Sequence, residues 1–269
     1  MRKAIVYSLL AAGGIVTTFP FLWMAATALK TETEAVSTAL SLIPDQPQWH
    51  NFREAFQAAP FGRYFFNTFL VAILVTGGVA ITSLMAGYAF ARLDFPGKRV
   101  LFGLVLATMM IPFEVTLIPN FILIEKLGWY DRYPALIVPW CANAFSIFLI
   151  RQAFMSLPRD FFEAAKVDGC GHLRFLVYIA APLVKPMVIT VALFAFLGSY
   201  NSLLWPLVVT GMERMRVVQV GLTVYSGDAA TQLHLLMCAA AFVIAPTVAL
   251  YFIAQRYFLE SSLGAGIKG

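Results

Sequence analysis

The sequence predicts an all-α membrane protein with six transmembrane helices. Of its 269 residues, 60% are hydrophobic and only 12% are charged, whereas a soluble domain carries about a quarter charged residues. Long uncharged stretches recur along the chain, and about 20 apolar residues are enough to cross a bilayer core. So few charged residues cannot cover the surface of a soluble globule. We therefore expect the lipid bilayer to solvate much of this chain.

Six stretches with few or no charged residues mark the predicted spans. One of them, the third, contains a carboxylate, Glu114. The stretches cover about residues 4–29, 64–91, 100–122, 133–151, 186–209 and 232–255. We predict a single transmembrane domain over 1–269, with a long cytoplasmic loop at 152–185. An even number of spans places both termini on the same side of the membrane.

The first span shares two features with a secretory signal peptide. Arg2 and Lys3 precede its apolar run, and Ala26-Thr27-Ala28 has a small-x-small pattern. Its apolar core of about 22 residues is longer than the roughly 7 to 15 residues of a typical signal. We therefore predict an uncleaved helix.

The distribution of Lys and Arg predicts the orientation. With the N-terminus inside, the inner segments hold twelve of the 19 basic residues and the outer segments hold seven. Cytoplasmic loops carry this excess in membrane proteins, so the predicted topology is N-in, C-in. The net charge of +5 reflects this orientation, and because the basic residues are not clustered, we expect no nucleic acid partner.

No metal or redox site is predicted. The three cysteines are far apart from one another, and no pair of them has the spacing of a metal-binding or redox pair. The three histidines are equally scattered along the chain. These six residues are Cys141, Cys170, Cys238, His50, His172 and His234.

The inner loop contains a predicted short helix followed by a turn. Pro158 suits a first helical turn, and the acidic residues Asp160 and Glu163 complement the helix dipole near that start. Gly169 tolerates the left-handed conformation that ends many helices. An apolar segment over 173–184 then returns to the membrane.

This helix has two interpretations on residue types alone. Ala164 and Ala165 would allow close approach of another surface, and Glu163 would offer a carboxylate to a basic partner. The unit could therefore dock into a groove of a cytoplasmic protein. The alternative is a solvated amphipathic loop with no partner.

The loop resembles the EAA motif of binding-protein-dependent ABC importer permeases. The motif has Glu-Ala-Ala, a Gly six residues after the Glu, and an Ile-x-Leu-Pro sequence further on. The matching residues are Glu163, Ala164, Ala165, Gly169, Ile179 and Pro182, with Asp168 before the Gly as in sugar permeases. The chain departs from the pattern at Cys170 and Ala181, where the side chains remain small and apolar.

The resemblance extends over nearly the whole chain. The chain is similar to the smaller permease of maltose and glycerol-3-phosphate type importers. It has Tyr200 at a position where many of these permeases have Trp. The supporting stretches are 44–56, Tyr88-Ala-Phe-Ala-Arg92, Ile111-Pro112, Ile118-Pro119, 201–207 and the tail 264–269.

The resemblance implies an ABC type I importer permease fold in a bacterial cytoplasmic (inner) membrane. It implies four partners: a homologous sister permease, two ABC ATPase subunits and an extracytoplasmic solute-binding protein. The solute would be a sugar or a related polyol or phosphate-polyol. The chain has no Gly-x4-Gly-Lys-Ser/Thr, since Gly97-Lys98-Arg99 lacks the first Gly and the hydroxyl. We therefore expect no cofactor on this chain and no enzymatic activity, with ATP and Mg bound by the ATPase subunits.

Two sets of residues would contact the ATPases, according to the resemblance. The first set is the coupling loop, with Glu163, Ala164, Ala165, Asp168 and Gly169. The second is the C-terminal tail, with Gly264, Gly266, Lys268 and Gly269.

Polar residues inside the predicted spans are candidates for the translocation path. An ionised group near mid-bilayer costs roughly 3 kcal/mol, so Glu114 should face protein or water. The other candidates are Asn143 and the Ser199-Tyr200-Asn201-Ser202 segment. Tyr200 and Trp205 could stack on a sugar ring. The alternative for Glu114 is a structural pair near the outer end of the span, for instance with the sister permease. For Asn143 and the 199–202 segment it is hydrogen bonding to neighbouring helices, and for the two aromatic rings it is a lipid-facing or interface position.

Two other classes of protein compete with a permease. A secondary transporter would more often have ten or more spans, repeated halves and ion-binding carboxylates at the midplane. A membrane enzyme would show a cluster of His, Asp or Ser near an interface. This sequence shows one intramembrane Glu, no visible repeat and no such cluster.

Overall fold

The long apolar stretches form helices in the computed structural model, which describes residues 2–37, 41–226 and 232–265. The regular elements of these residues are helical. In chain order they are α1 Arg2–Ala28, α2 Glu32–Ala35, α3 His50–Gln57, α4 Phe61–Arg92, α5 Lys98–Thr108, α6 Phe113–Lys126, α7 Tyr133–Ile137, α8 Ala144–Ser156, α9 Asp160–Val167, α10 His172–Phe175, α11 Ala181–Leu183, α12 Lys185–Tyr200, α13 Leu204–Val209, α14 Val218–Gly221 and α15 Leu233–Ala265. A π-helical turn, Leu176–Ala180, joins α10 to α11, and short 3-10 turns include Val138–Trp140 after α7.

Four segments of the described chain are long and apolar enough to span a membrane by themselves. They are Ile5–Ala28, Phe61–Arg92, Tyr133–Ser156 and Leu233–Ile253. Two bent pairs of helices pass the same test together, which allows up to six spans. The chain is an all-α membrane protein, and the count of six and the N-in, C-in orientation stay predictions.

The predicted third span, 100–122, is not one straight helix. Helices α5 and α6 meet at an angle of 99°. Helix α5 ends at Thr108 and α6 begins at Phe113. Pro112 lies between them, and proline has no N–H to donate and disfavours helical backbone at the preceding residue, Ile111. The bend therefore has a local cause that charge spacing does not show.

The predicted fifth span, 186–209, also differs from the structure. Helix α12 ends at Tyr200, and a separate helix, α13, begins at Leu204. The side-chain amide and the backbone N–H of Asn201 both donate to the Leu197 carbonyl at 3.0 Å, which caps α12. The bent pair that includes α12 instead extends toward the N-terminus, through His172–Leu183 at 86°.

The predicted fourth span, 133–151, is interrupted and extends further than predicted. Helix α7 and the turn after it end at Trp140, and α8 runs from Ala144 to Ser156. Asn143 has extended backbone and caps α8, since its side chain accepts a hydrogen bond from the Ser146 N–H at 2.9 Å. Such a cap satisfies one of the free N–H groups at a helix start.

The chain divides into two compact units. The first contains residues 1–64 and 218–250. In it, the Asn51 side-chain amide donates to the carbonyls of Ala28 at 3.0 Å and Lys30 at 2.8 Å, which holds the end of α1. The second unit contains 65–217 and 251–269, and it includes the coupling loop and all four candidate path residues.

Candidate functional site

Helix α9 ends at Val167, and a Schellman motif with Gly169 as its left-handed residue follows. Gly169 has φ +73°. Its N–H donates to the Lys166 carbonyl at 3.1 Å, and the Cys170 N–H donates to the Ala165 carbonyl at 2.8 Å. Gly169 therefore lies at the helix end that the sequence predicts.

The outward side of α9 carries exposed apolar side chains. Phe161, Ala164 and Val167 are exposed and three residues apart, a spacing that places them on one face. Val167 is 87% exposed, an unusual state for an aliphatic side chain in water. Glu163 is exposed beside them, and no cation of the described residues lies within 4 Å of it. Asp160 is also exposed and lies one turn before Ala164 on this face, so α9 offers a neighbour apolar side chains together with the carboxylates of Asp160 and Glu163.

The inward side of α9 packs on the chain that follows it. Ala165 is buried. The Phe162 ring stacks on His172, with centroids 5.8 Å apart and an interplanar angle of 24°. It also meets the edge of Phe175 at 5.4 Å. These contacts hold α9 against α10.

A cavity of about 400 Å³ lies within the second unit. Its lining mixes aromatic rings with small polar groups and contains no charged side chain or histidine. The aromatic residues are Trp140, Phe145, Phe194 and Trp205. The polar residues are Thr68, Asn143, Ser146, Ser199 and Ser202. A wall of this kind suits a solute with both apolar faces and hydroxyl groups.

Trp205 fixes one side of this cavity. It is 2% exposed, and its indole N–H donates to the Ala135 carbonyl at 2.9 Å. Its ring lies 6.1 Å from that of Trp140 in an edge-to-face arrangement. Phe113, the first residue of α6, packs on both rings, at 6.1 Å from Trp205 and 5.2 Å from Trp140.

The structure brings one of the four predicted path residues to the cavity. Asn143 lines it, while its Oδ1 accepts from Ser146. Glu114 is exposed in the first turn of α6, outside the lining, where its charge complements the helix dipole. Tyr200 is buried against Phe69 and Phe196, and Asn201 is exposed at the end of α12.

The sequence indicated some of the residues that line the cavity and not others. Ser199 and Ser202 belong to the polar segment predicted from it, and both line the cavity. Thr68 and Trp140 were not singled out. Thr68 is a polar residue on the same face of α4 as Val71, Val75 and Val79, and all four line the cavity. That spacing was the available signal.

The predicted tail contact lies mostly outside the described residues. Gly264 lies in α15. The remaining residues of that set, Gly266, Lys268 and Gly269, lie outside the described residues.

Comparisons with known proteins cover most of the chain. Residues 78–261 match the family described as binding-protein-dependent transport system inner membrane component. The chain is 32% identical over 260 residues to the sn-glycerol-3-phosphate transport system permease protein UgpE of Yersinia enterocolitica serotype O:8 / biotype 1B, covering 94% of this chain and 92% of that protein. It is 30% identical over 254 residues to the arabinooligosaccharides transport system permease protein AraQ of Bacillus subtilis (strain 168), covering 93% and 90%.

Two solved structures share the fold. One is a bacterial ABC transporter involved in the import of the acidic polysaccharide alginate, with a TM-score of 0.83, 22% identity and 96% of each chain covered. The other is a bacterial alginate ABC transporter in complex with an alginate pentasaccharide-bound periplasmic protein, with a TM-score of 0.65, 16% identity and 95% of each chain covered.

Proposed function

The chain belongs to the family of binding-protein-dependent transport system inner membrane components, and we propose that it is the permease subunit of an ATP-driven importer of a sugar or polyol. It has the ABC type I importer permease fold and is a multi-pass inner-membrane component of a transport system rather than an enzyme. The observation that carries the proposal is the family match over 78–261, which includes the EAA-like loop.

The partners in this proposal are a sister permease, two ABC ATPase subunits and an extracytoplasmic solute-binding protein. A periplasmic protein accompanies one of the similar solved transporters, which supports the last of these. The sister permease would complete a path of which this chain forms one side. The C-terminal tail, from Gly264 to Gly269, would contact the ATPase pair.

The ATPase would be engaged by α9. The apolar face of Phe161, Ala164 and Val167 would seat in a groove of the ATPase, because apolar area is stabilised when it is removed from water. Glu163 would face a basic residue of that groove. An exposed apolar face beside a carboxylate supports this use over a solvated loop.

The cavity would form part of the path for the solute. Its lining offers aromatic faces, hydroxyls and one amide, and no cation that could pair with a phosphate. We therefore propose an uncharged sugar or polyol as the solute rather than a phosphate ester. The relatives are named for both kinds, a phosphate ester for UgpE and oligosaccharides for AraQ.

Reconstitution tests this function. The chain would be assembled in proteoliposomes with a sister permease, ATPase and binding protein from its own genome. Arabinotriose and sn-glycerol-3-phosphate would serve as neutral and anionic probes, with further sugars chosen by a thermal-shift screen of the binding protein. We expect uptake that requires ATP and favours a neutral probe. Uptake driven by an ion gradient without ATP would contradict the importer, and uptake of the phosphate ester alone would contradict the neutral solute.

The coupling of α9 to the ATPase is tested separately, by a charge reversal at Glu163. Glu163→Lys reverses the charge on the face of α9 without changing a buried contact, so the protein should insert and assemble. We expect ATP hydrolysis that no longer responds to the solute-loaded binding protein, or loss of the ATPase from the membrane. Glu125→Lys, at another exposed carboxylate, is the matched control and should behave as wild type. Equal behaviour of both variants would exclude a coupling role for Glu163.

A further inference from the structure

The two ends of the coupling segment, residues 157–172, are held by two residues of α4 that lie one helical turn apart. The Tyr88 hydroxyl lies 2.9 Å from Nδ1 of His172, at the far end of the segment. The Arg92 Nη2 donates to the Leu157 carbonyl at 2.6 Å, at its near end, and to the Phe154 carbonyl at 2.7 Å. Residues i and i+4 share one face of a helix. The last turn of α4 is therefore hydrogen-bonded to the segment on both sides of α9.

The inward face of α9 packs on His172, which takes part in one of these hydrogen bonds. His172, which pairs with the Tyr88 hydroxyl, is also the ring on which Phe162 of α9 stacks. Phe175 touches both Phe162 and Tyr88, at centroid distances of 5.4 and 6.1 Å. Tyr88 itself is only 3% exposed. Ring contacts therefore connect α9 to Tyr88, through Phe162 and Phe175 and through His172, beside a cavity of about 140 Å³ that Phe162, His172 and Phe175 line.

The other part of α4 forms a wall of the cavity. Thr68, Val71, Val75 and Val79 line it from one face of the helix. Helix α4 runs unbroken from Phe61 to Arg92 with no internal proline. With a rise of 1.5 Å per residue, Val79 lies about 14 Å and Thr68 about 30 Å along the axis from Tyr88. One rigid element thus joins the coupling segment to the cavity.

We propose that Tyr88, Arg92 and His172 are positioning residues that carry movement of the coupling segment through α4 to the cavity wall. This inference rests on the proposed function, since the movement is the one that ATP binding imposes on α9. None of the three residues is a matching position of the EAA-like motif. Their role is to make α9 and α4 move as one body, so that the state of the ATPase and the shape of the cavity change together.

The conservative variants remove one hydrogen bond each. Tyr88→Phe keeps the ring and loses the hydroxyl, and His172→Phe keeps a ring to stack on Phe162 and loses Nδ1. Tyr133→Phe is the matched control, because it also removes one hydroxyl, which donates to Asn67 Oδ1 at 2.8 Å. Each is combined with Val75→Cys, a reporter on the cavity wall.

The readout is the rate at which N-ethylmaleimide labels Val75→Cys in the reconstituted complex, without nucleotide and after trapping with ADP and vanadate. A chain with valine at position 75 supplies the background from the native cysteines. When Val75→Cys is the only substitution, we expect the labelling rate to differ between the two states. Tyr88→Phe and His172→Phe should each shrink this difference by about fivefold, the factor that one hydrogen bond represents. The double variant should be no worse than either single variant, because both remove the same bond.

The outcomes separate the inference from the function on which it rests. Failure of ATP-dependent uptake in the chain with valine at position 75 would reject the importer itself. Uptake in that chain, with no nucleotide-dependent labelling when Val75→Cys is the only substitution, would overturn the inference, because the wall would not move. It would also be overturned if Tyr88→Phe and His172→Phe kept the full labelling difference, or if Tyr133→Phe reduced it equally.

Discussion

Gly78 and Cys141 approach so closely that no side chain fits between them. A Cβ on Gly78 would lie 2.5 Å from Cys141 Sγ and 3.2 Å from its Cα. One turn further along α4, the Thr82 hydroxyl donates to the Cys141 carbonyl at 2.7 Å. The break between the turn Val138–Trp140 and α8 is thereby held directly against α4. By contrast, a Cβ added to the neighbouring Gly77 would have no atom within 4 Å.

This difference predicts opposite effects of two adjacent substitutions. Gly77→Ala should stabilise the protein by up to about 1 kcal/mol, because alanine costs less backbone entropy in a helix. Gly78→Ala should destabilise it by about 1–3 kcal/mol, because the added methyl overpacks the contact with Cys141. Apparent unfolding temperatures of the purified protein in detergent measure both. Equal shifts in the two variants would contradict the close approach.

The left-handed backbone at Gly169 predicts a second contrast. Gly169→Ala should cost about 1–2 kcal/mol in local stability, because an L-residue is strained at φ +73°. Gly171→Ala, two residues later at φ −70°, carries no such strain, and neither position has an atom within 4 Å of a new Cβ.

We therefore expect reduced ATP-dependent uptake for Gly169→Ala and stronger loss for Gly169→Val, whose β-branch worsens the strain. Gly171→Ala should transport as wild type. The assay is uptake in proteoliposomes, normalised to the amount of assembled complex. Full uptake by Gly169→Val would show that the turn after α9 is dispensable for coupling.

Glu114 is expected to affect transport more than assembly. The side chain is exposed at the start of α6 and lies outside the cavity lining, so the sister permease or a water-filled path would have to solvate it. Glu114→Gln keeps the size and removes the charge. We expect normal assembly with reduced uptake, while Glu125→Gln leaves uptake unchanged. Loss of assembly together with uptake would favour a structural role at the contact with the sister permease.

The topology makes a separate prediction. Reporter fusions at Gly97 and Gly169 should give cytoplasmic signals, and fusions at Asp45 and Trp129 should give outside signals. Asp228 is also predicted outside and lies beyond the described residues. The physical reason is the excess of Lys and Arg in the inner segments. A cytoplasmic signal at Asp45 would contradict the N-in, C-in arrangement.

Features determined by neighbouring residues could be predicted from the sequence. The helices of the long apolar stretches could be predicted, because the length of an apolar run is read directly from the sequence. The left-handed turn at Gly169, just after α9, was predictable because glycine adopts that backbone conformation more readily than other residues. The bend before α6 had a local signal in Pro112, but its angle of 99° did not, since a proline can kink a helix or simply end it.

Features that depend on residues distant along the chain were decided by the tertiary structure. The sequence marked polar residues inside spans, but it did not show that Tyr200 turns toward Phe69 and Phe196 while Asn143 faces a cavity shared with Thr68. Which face of a helix meets a neighbour depends on how helices pack, and charge spacing contains no such information. The Tyr88-to-Arg92 stretch was likewise only a matching motif until packing brought its two polar ends to His172 and Leu157. Their hydrogen bonds form because a buried polar group is costly unless a partner satisfies it, and here the partners lie more than 60 residues away along the chain.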